Sequence, residues 1–142
     1  MTVAAILRHK GTDTAHVSPG APISEVVHVL AERRIGAVLV MEGSRLLGIV
    51  SERDIVRCLA RQGASALDHP AETLMTREIR TADRSTTSIE ALAMMTEGRF
   101  RHLPVVESDE VVGIVSIGDV VKSRLDQQAQ EVDTLKAYVA GG

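Results

Sequence analysis

Aromatic residues are almost missing from this chain: Phe100 and Tyr138 are present, and there is no tryptophan. That excludes a platform on which splayed bases could stack. Cysteine is nearly absent too. The lone Cys58 rules out an internal disulfide and any multi-cysteine zinc site. In "SERDIVRCLAR" it reads as a small buried hydrophobe rather than a nucleophile. No sign of charge dominates: a net charge of −3 and a pI near 5.9 give no basic field for nucleic acid or an anionic membrane. No apolar run approaches the roughly 18–20 residues of a membrane span. The start, "MTVAAILRHKG", lacks the apolar core and cleavage site of an export signal. A cytoplasmic protein without nucleic-acid or membrane partners is expected.

Catalytic signatures are missing as well. There is no G-x-x-x-x-G-K-[ST] loop, no G-x-G-x-x-G after a strand and no H-E-x-x-H. His9, His16, His28, His69 and His102 are scattered without ligand spacing. The expectation is no enzyme, no metal and no catalytic cofactor. What remains is an ordinary globular composition, 44% apolar and 25% charged over 142 residues.

That composition hides a duplication. At an offset of 65, "LLGIVSERDIVR" (46–57) aligns with "VVGIVSIGDVVK" (111–122), "IGAVLVME" (35–42) with "FRHLPVVE" (100–107), and "ISEVVHVLAERR" (23–34) with "SIEALAMMTEGR" (88–99). One register held through three elements marks a repeated unit. Each copy predicts a short strand, around 15–18 and 79–81, then a turn ("SPGAP", "DRSTT") and an amphipathic helix. Two apolar strands around "EGSR" or "ESDE" and a closing helix complete a β-α-β-β-α order.

The fold class expected is α+β, with the two copies sharing a core because a unit of roughly 50 residues buries too little surface alone. The expected division is a short helical arm at 1–12, a first repeat at 13–62, a polar linker at 63–77, a second repeat at 78–126 and a helical tail at 127–142. From Asp119 to about Ala140 the chain can run as one helix, with Leu125, Val132 and Val139 seven residues apart. It either folds back on its own domain or meets a second copy.

The closing helices begin at Ser51-x-x-Asp54 and Ser116-x-x-Asp119. A helix start offers backbone N–H groups and the positive end of a dipole, which suits a phosphate. A carboxylate one turn later can accept from both hydroxyls of a ribose. The same pair is close to a capping box, which needs no ligand. The residues alone leave both readings open.

The strings "ILRHKG", "RIGAVLV", "GIVSERDIVR", "LMTREI", "GRFRHLPVV" and "GIVSIGDVVK" stand in the order and spacing of a known family. Over roughly residues 10–126 the sequence resembles a tandem pair of CBS domains, and is similar to small stand-alone bacterial CBS-pair proteins. The resemblance implies two repeats packed sheet to sheet with pseudo-two-fold symmetry, leaving two clefts that bind adenosine-containing ligands. Carried over, one cleft takes Ser51, Arg53, Asp54, Thr76, Ile79, Arg80, Phe100, Arg101 and His102. The other takes Lys10, Ala15, His16, Ile35, Gly36, Ala37, Ser116, Gly118 and Asp119. Gly36 in one copy is Arg101 in the other, so the clefts differ. With Arg53, Arg99, Arg101 and His102, the first suits ADP, ATP or the pyrophosphate of NAD(H). The second, with less charge, suits AMP. Two functions are weighed: a regulatory module passing the ligand state in trans to a separate partner protein, and a structural interaction protein with vestigial clefts. A homodimer is expected under both.

Overall fold

Apolar runs broken by polar turns become the sheets. In the computed structural model, which describes residues 1–141, the first copy forms β1 (His16–Val17), β2 (Ala37–Glu42) and β3 (Arg45–Ser51), ordered β1-β2-β3. β2 and β3 run antiparallel with Val38 opposite Val50; β1 adds in parallel, Val17 opposite Val40. The second copy forms a two-stranded sheet of β4 (His102–Glu107) and β5 (Glu110–Ser116). Ser108 (φ 50°) and Asp109 (φ 64°) both turn left-handed between them, as a tight hairpin requires.

The strand expected around 79–81 does not form. At its place Ala82 makes a single parallel bridge to Val105. The cause is one imino acid. In the first copy the Leu39 N–H donates to Ala15 O at 3.0 Å, extending the parallel ladder. The residue 65 positions later is Pro104, which has no N–H to give.

The helices are α1 (Val3–Lys10), α2 (Ile23–Arg33), α3 (Glu52–Gln62), α4 (Ala71–Leu74), α5 (Ser88–Gly98) and α6 (Ile117–Gly141). Thr87 caps α5 in a reciprocal box with Glu90. α2 and α5 both end on a left-handed arginine, Arg34 (φ 55°) and Arg99 (φ 56°), so the repeat reaches down to single backbone angles.

The chain divides into two units. One comprises Asp13–Ile79 with 109–111; the other comprises Met1–Thr12, Arg80–Ser108 and Val112–Gly142. The first is built on Ile23, Val26, Val38, Val40 and Val50. The second is built on Met95, Leu103, Val105, Val115 and Val120, joined by Val3, Ile6 and Leu7 of α1.

The first part of the linker expected at 63–77 is regular structure. It holds a 3₁₀ turn (Gly63–Asp68) and α4, and it buries Ala66 and Ala71 completely. It is also the counterpart of α1, at an offset of 68 instead of 65. Val3 N donates to Thr86 O and Ala4 N to Arg84 O; Ala71 N donates to Ala21 O and Glu72 N to Pro19 O. Ser88 N reaches Met1 O as Ile23 N reaches His69 O, both at 2.9 Å. Each copy is thus completed by the segment that precedes the other copy in the chain. The glycine of each "GIVS" makes room for it: an added Cβ at Gly48 would lie 2.6 Å from Met75 Sδ, and at Gly113 2.7 Å from a Leu7 methyl.

Candidate functional site: two serine–aspartate steps

β3 delivers Ser51 to the start of α3, and β5 delivers Ser116 to the start of α6. At the first step the Ser51 N–H donates to Asp54 Oδ2 at 2.9 Å and the Asp54 N–H to Ser51 Oγ at 3.3 Å. At the second, Ser116 N–H donates to Asp119 Oδ2 at 2.8 Å and Asp119 N–H to Ser116 Oγ at 3.1 Å. Both are capping boxes. The same carboxylate oxygen, Oδ2, serves the cap each time, and Oδ1 takes no part in either cap.

The helix starts are less open than the sequence implies. Glu52 N–H donates to Gly36 O at 2.9 Å, and Ile117 N–H to Arg101 O at 2.8 Å. With the caps formed, the Arg53 N–H in one first turn and the Gly118 N–H in the other are left for a ligand. Gly36 and Arg101, both expected as site residues, each touch the step of their own unit through a backbone carbonyl. Nothing in the sequence pattern marks that contact.

The steps differ in two ways. Ser51 Oγ also donates to Asp54 Oδ2, at 2.9 Å, a well-formed bond whose counterpart, the Ser116 hydroxyl on Asp119, is looser. Second, Lys10 Nζ lies 2.7 Å from Asp119 Oδ2 and donates to Ile114 O, also at 2.7 Å. Burial raises the Asp119 pKa, but the Lys10 hydrogen bond and charge, with the Ser116 donors, hold it below the ordinary 3.8. At the first step Thr76 takes the place of Lys10 by backbone: it exchanges hydrogen bonds with Ile49 at 2.9 and 3.1 Å.

The other expected residues fall as follows. Ile79 lies with Ser51, Arg53, Asp54 and Thr76 in the first unit; Arg80, Phe100, Arg101 and His102 lie in the second. Arg80 faces Glu97 at 3.7 Å across an exposed pair, and Phe100 packs on the core of its unit. Lys10, Ser116, Gly118 and Asp119 come together in one unit, while Ala15, His16, Ile35, Gly36 and Ala37 lie in the other. Ala15 and Ala37 are buried. Among the described residues no group of histidine, cysteine and carboxylates could hold a metal, and no helix is long and apolar enough to cross a membrane.

The CBS domain profile matches the chain twice, at residues 5–61 and 71–126. A CBS-domain containing protein of Agrobacterium tumefaciens is 40% identical, with a TM-score of 0.85 over 87% of this chain and 99% of that one. A CBS domain protein of Pyrobaculum aerophilum, solved with AMP, is 28% identical, with a TM-score of 0.75 over 84% of this chain and 89% of its own. The mitochondrial CBS domain-containing protein CBSX3 of Arabidopsis thaliana is 34% identical over 84% of this chain, which spans 61% of that relative's length. Both copies of the repeat are covered by the profile, and the chain belongs to the CBS-domain family.

Proposed function

We propose that the protein is a non-enzymatic regulatory module that binds adenosine-containing nucleotides at its two serine–aspartate steps. Ser51, Arg53 and Asp54 hold one ligand; Lys10, Ser116, Gly118 and Asp119 hold the other. The observation that carries this is the half-committed carboxylate. Each aspartate fixes its own position by capping with Oδ2 and keeps Oδ1 for ribose hydroxyls, which are donors a pure cap does not need. The AMP-bound relative supports the adenosine class.

Arg53 beside the first step favours a diphosphate, as in ADP, ATP or NAD(H). The second step offers a serine hydroxyl and one free N–H, and suits the single phosphate of AMP. The ligand state then shifts the affinity of a homodimer for a separate partner protein, through differential binding to two conformations.

The test is calorimetric titration of nucleotide-stripped protein with AMP, ADP, ATP, NAD and NADH. Saturable binding that disappears in Asp54→Ala plus Asp119→Ala, with circular dichroism unchanged, is the expected result. No binding of any of the five by folded wild type would overturn the proposal and leave a structural protein whose steps are only caps.

A further inference from the structure

Asp54, Arg57, Cys58 and Arg61 recur three and four residues apart, so they share one face of α3. That face looks across a groove of about 490 Å³ at His69 and the end of α4. Buried Cys58 and half-buried Leu74 line its apolar part. The Thr73 hydroxyl on its rim is spent on Pro70 O, at 2.7 Å. The remaining donors are the two guanidinium groups, the His69 ring and the Gln62 amide. Among the described residues none of these cations has a carboxylate partner. The one acid on the wall, Asp54, has an oxygen tied into its cap.

The second copy supplies an internal comparison. Its corresponding groove, about 560 Å³, is lined by Met1 where the first has His69, by Lys122 for Arg57 and by Asp126 for Arg61. Its added cation, Lys10, is already paired with Asp119. One architecture therefore occurs twice, and the charge at its far end is reversed. Two adjacent arginines without a counter-ion repel each other, and the fold has kept them facing a concave surface. Planar guanidinium forks at this spacing match the oxygens of a phosphate or pyrophosphate group. The volume is that of a small-molecule site.

We propose that the groove of Arg57, Arg61 and His69 is an anion site for a phosphate-bearing small molecule, separate from the Ser51 helix start and absent from the second copy. The proposal does not depend on nucleotide binding at the steps. Its test is calorimetric titration of the full chain with inorganic pyrophosphate at low salt, with AMP as a parallel arm. Saturable pyrophosphate binding at the groove is expected, beside any at the Ser51 step. It should weaken roughly tenfold or more in Arg61→Asp, which copies the second groove, and vanish in Arg57→Gln plus Arg61→Gln. Ser51→Ala should retain it, and melting curves should confirm that each variant folds. Unsaturable heats, binding unchanged in the double arginine variant, or binding lost in Ser51→Ala would each overturn it. AMP binding without pyrophosphate binding would leave the steps as the only sites.

Discussion

Lys10 donates to Asp119 Oδ2 at 2.7 Å, and among the described residues Asp54, at the matching position of the other copy, has no such cation. The pair ties the end of α1 to the start of α6. Asp119 titrates below the ordinary 3.8 in the folded protein, so its ionised form is favoured by folding. Its contribution is complete above the unfolded value and is lost as pH falls through the lower folded one. Urea midpoints of wild type and Asp119→Asn, compared from neutral pH down to about 3, should therefore converge on acidification. A difference that stays constant with pH would contradict the linkage.

The two serines should respond differently to removal. Ser51 holds its hydroxyl proton on Asp54 at 2.9 Å, whereas the Ser116 hydroxyl is held more loosely on Asp119 and turns more readily to a ligand. Each Ser→Ala change loses a cap, worth about 1 kcal/mol. Only Ser116→Ala should also weaken AMP binding in titrations, by roughly tenfold. Equal losses of AMP affinity in both variants would show that the orientation of the hydroxyl proton does not matter.

The glycines of the two "GIVS" strings test the exchanged segments. At Gly48 an added methyl meets Met75 Sδ, Cγ and Cβ at 2.6–2.9 Å, the last of these fixed to the backbone. At Gly113 it meets the two terminal methyls of Leu7, at 2.7 and 3.0 Å, which can rotate away. Gly48→Ala should cost about 2–3 kcal/mol in denaturant unfolding, and Gly113→Ala less, about 1. The reverse order would mean that the Met75 segment yields more easily than α1.

The duplication was readable because its apolar pattern keeps one register over many residues, and the cap chemistry because Ser-x-x-Asp is local. The second register was not. α1 and the stretch through α4 are short, share only paired apolar residues such as Ile6–Leu7 and Leu74–Met75, and α1 stands three positions further from its repeat than the α4 stretch does. Small buried residues, Ala66 and Ala71, sit among polar neighbours, so 63–77 reads as a connector in the sequence. The missing strand at 79–81 was written in Pro104, but only pairing with β4 gives that proline its effect. Contacts through backbone carbonyls, such as Lys10 to Ile114 O, leave no trace in side-chain identity.

α6 supplies the test of self-association. Val120 and Ser123 are buried near its start, but beyond them Leu125 is 61% exposed, Val132 50% and Val139 69%. These three recur at heptad spacing, with Leu135 also exposed beside them. An apolar stripe on the outer part of a 25-residue helix gains by meeting its like in a second copy. Since none of these side chains supports the core of its unit, Leu125→Glu plus Val132→Glu should leave the melting of secondary structure almost unchanged at low concentration. Light scattering should report a monomer for the variant and a dimer for the wild type. A wild type that is monomeric at high concentration would remove the tail as a dimer contact, and a dimer that survives both glutamates would place the contact elsewhere on the chain.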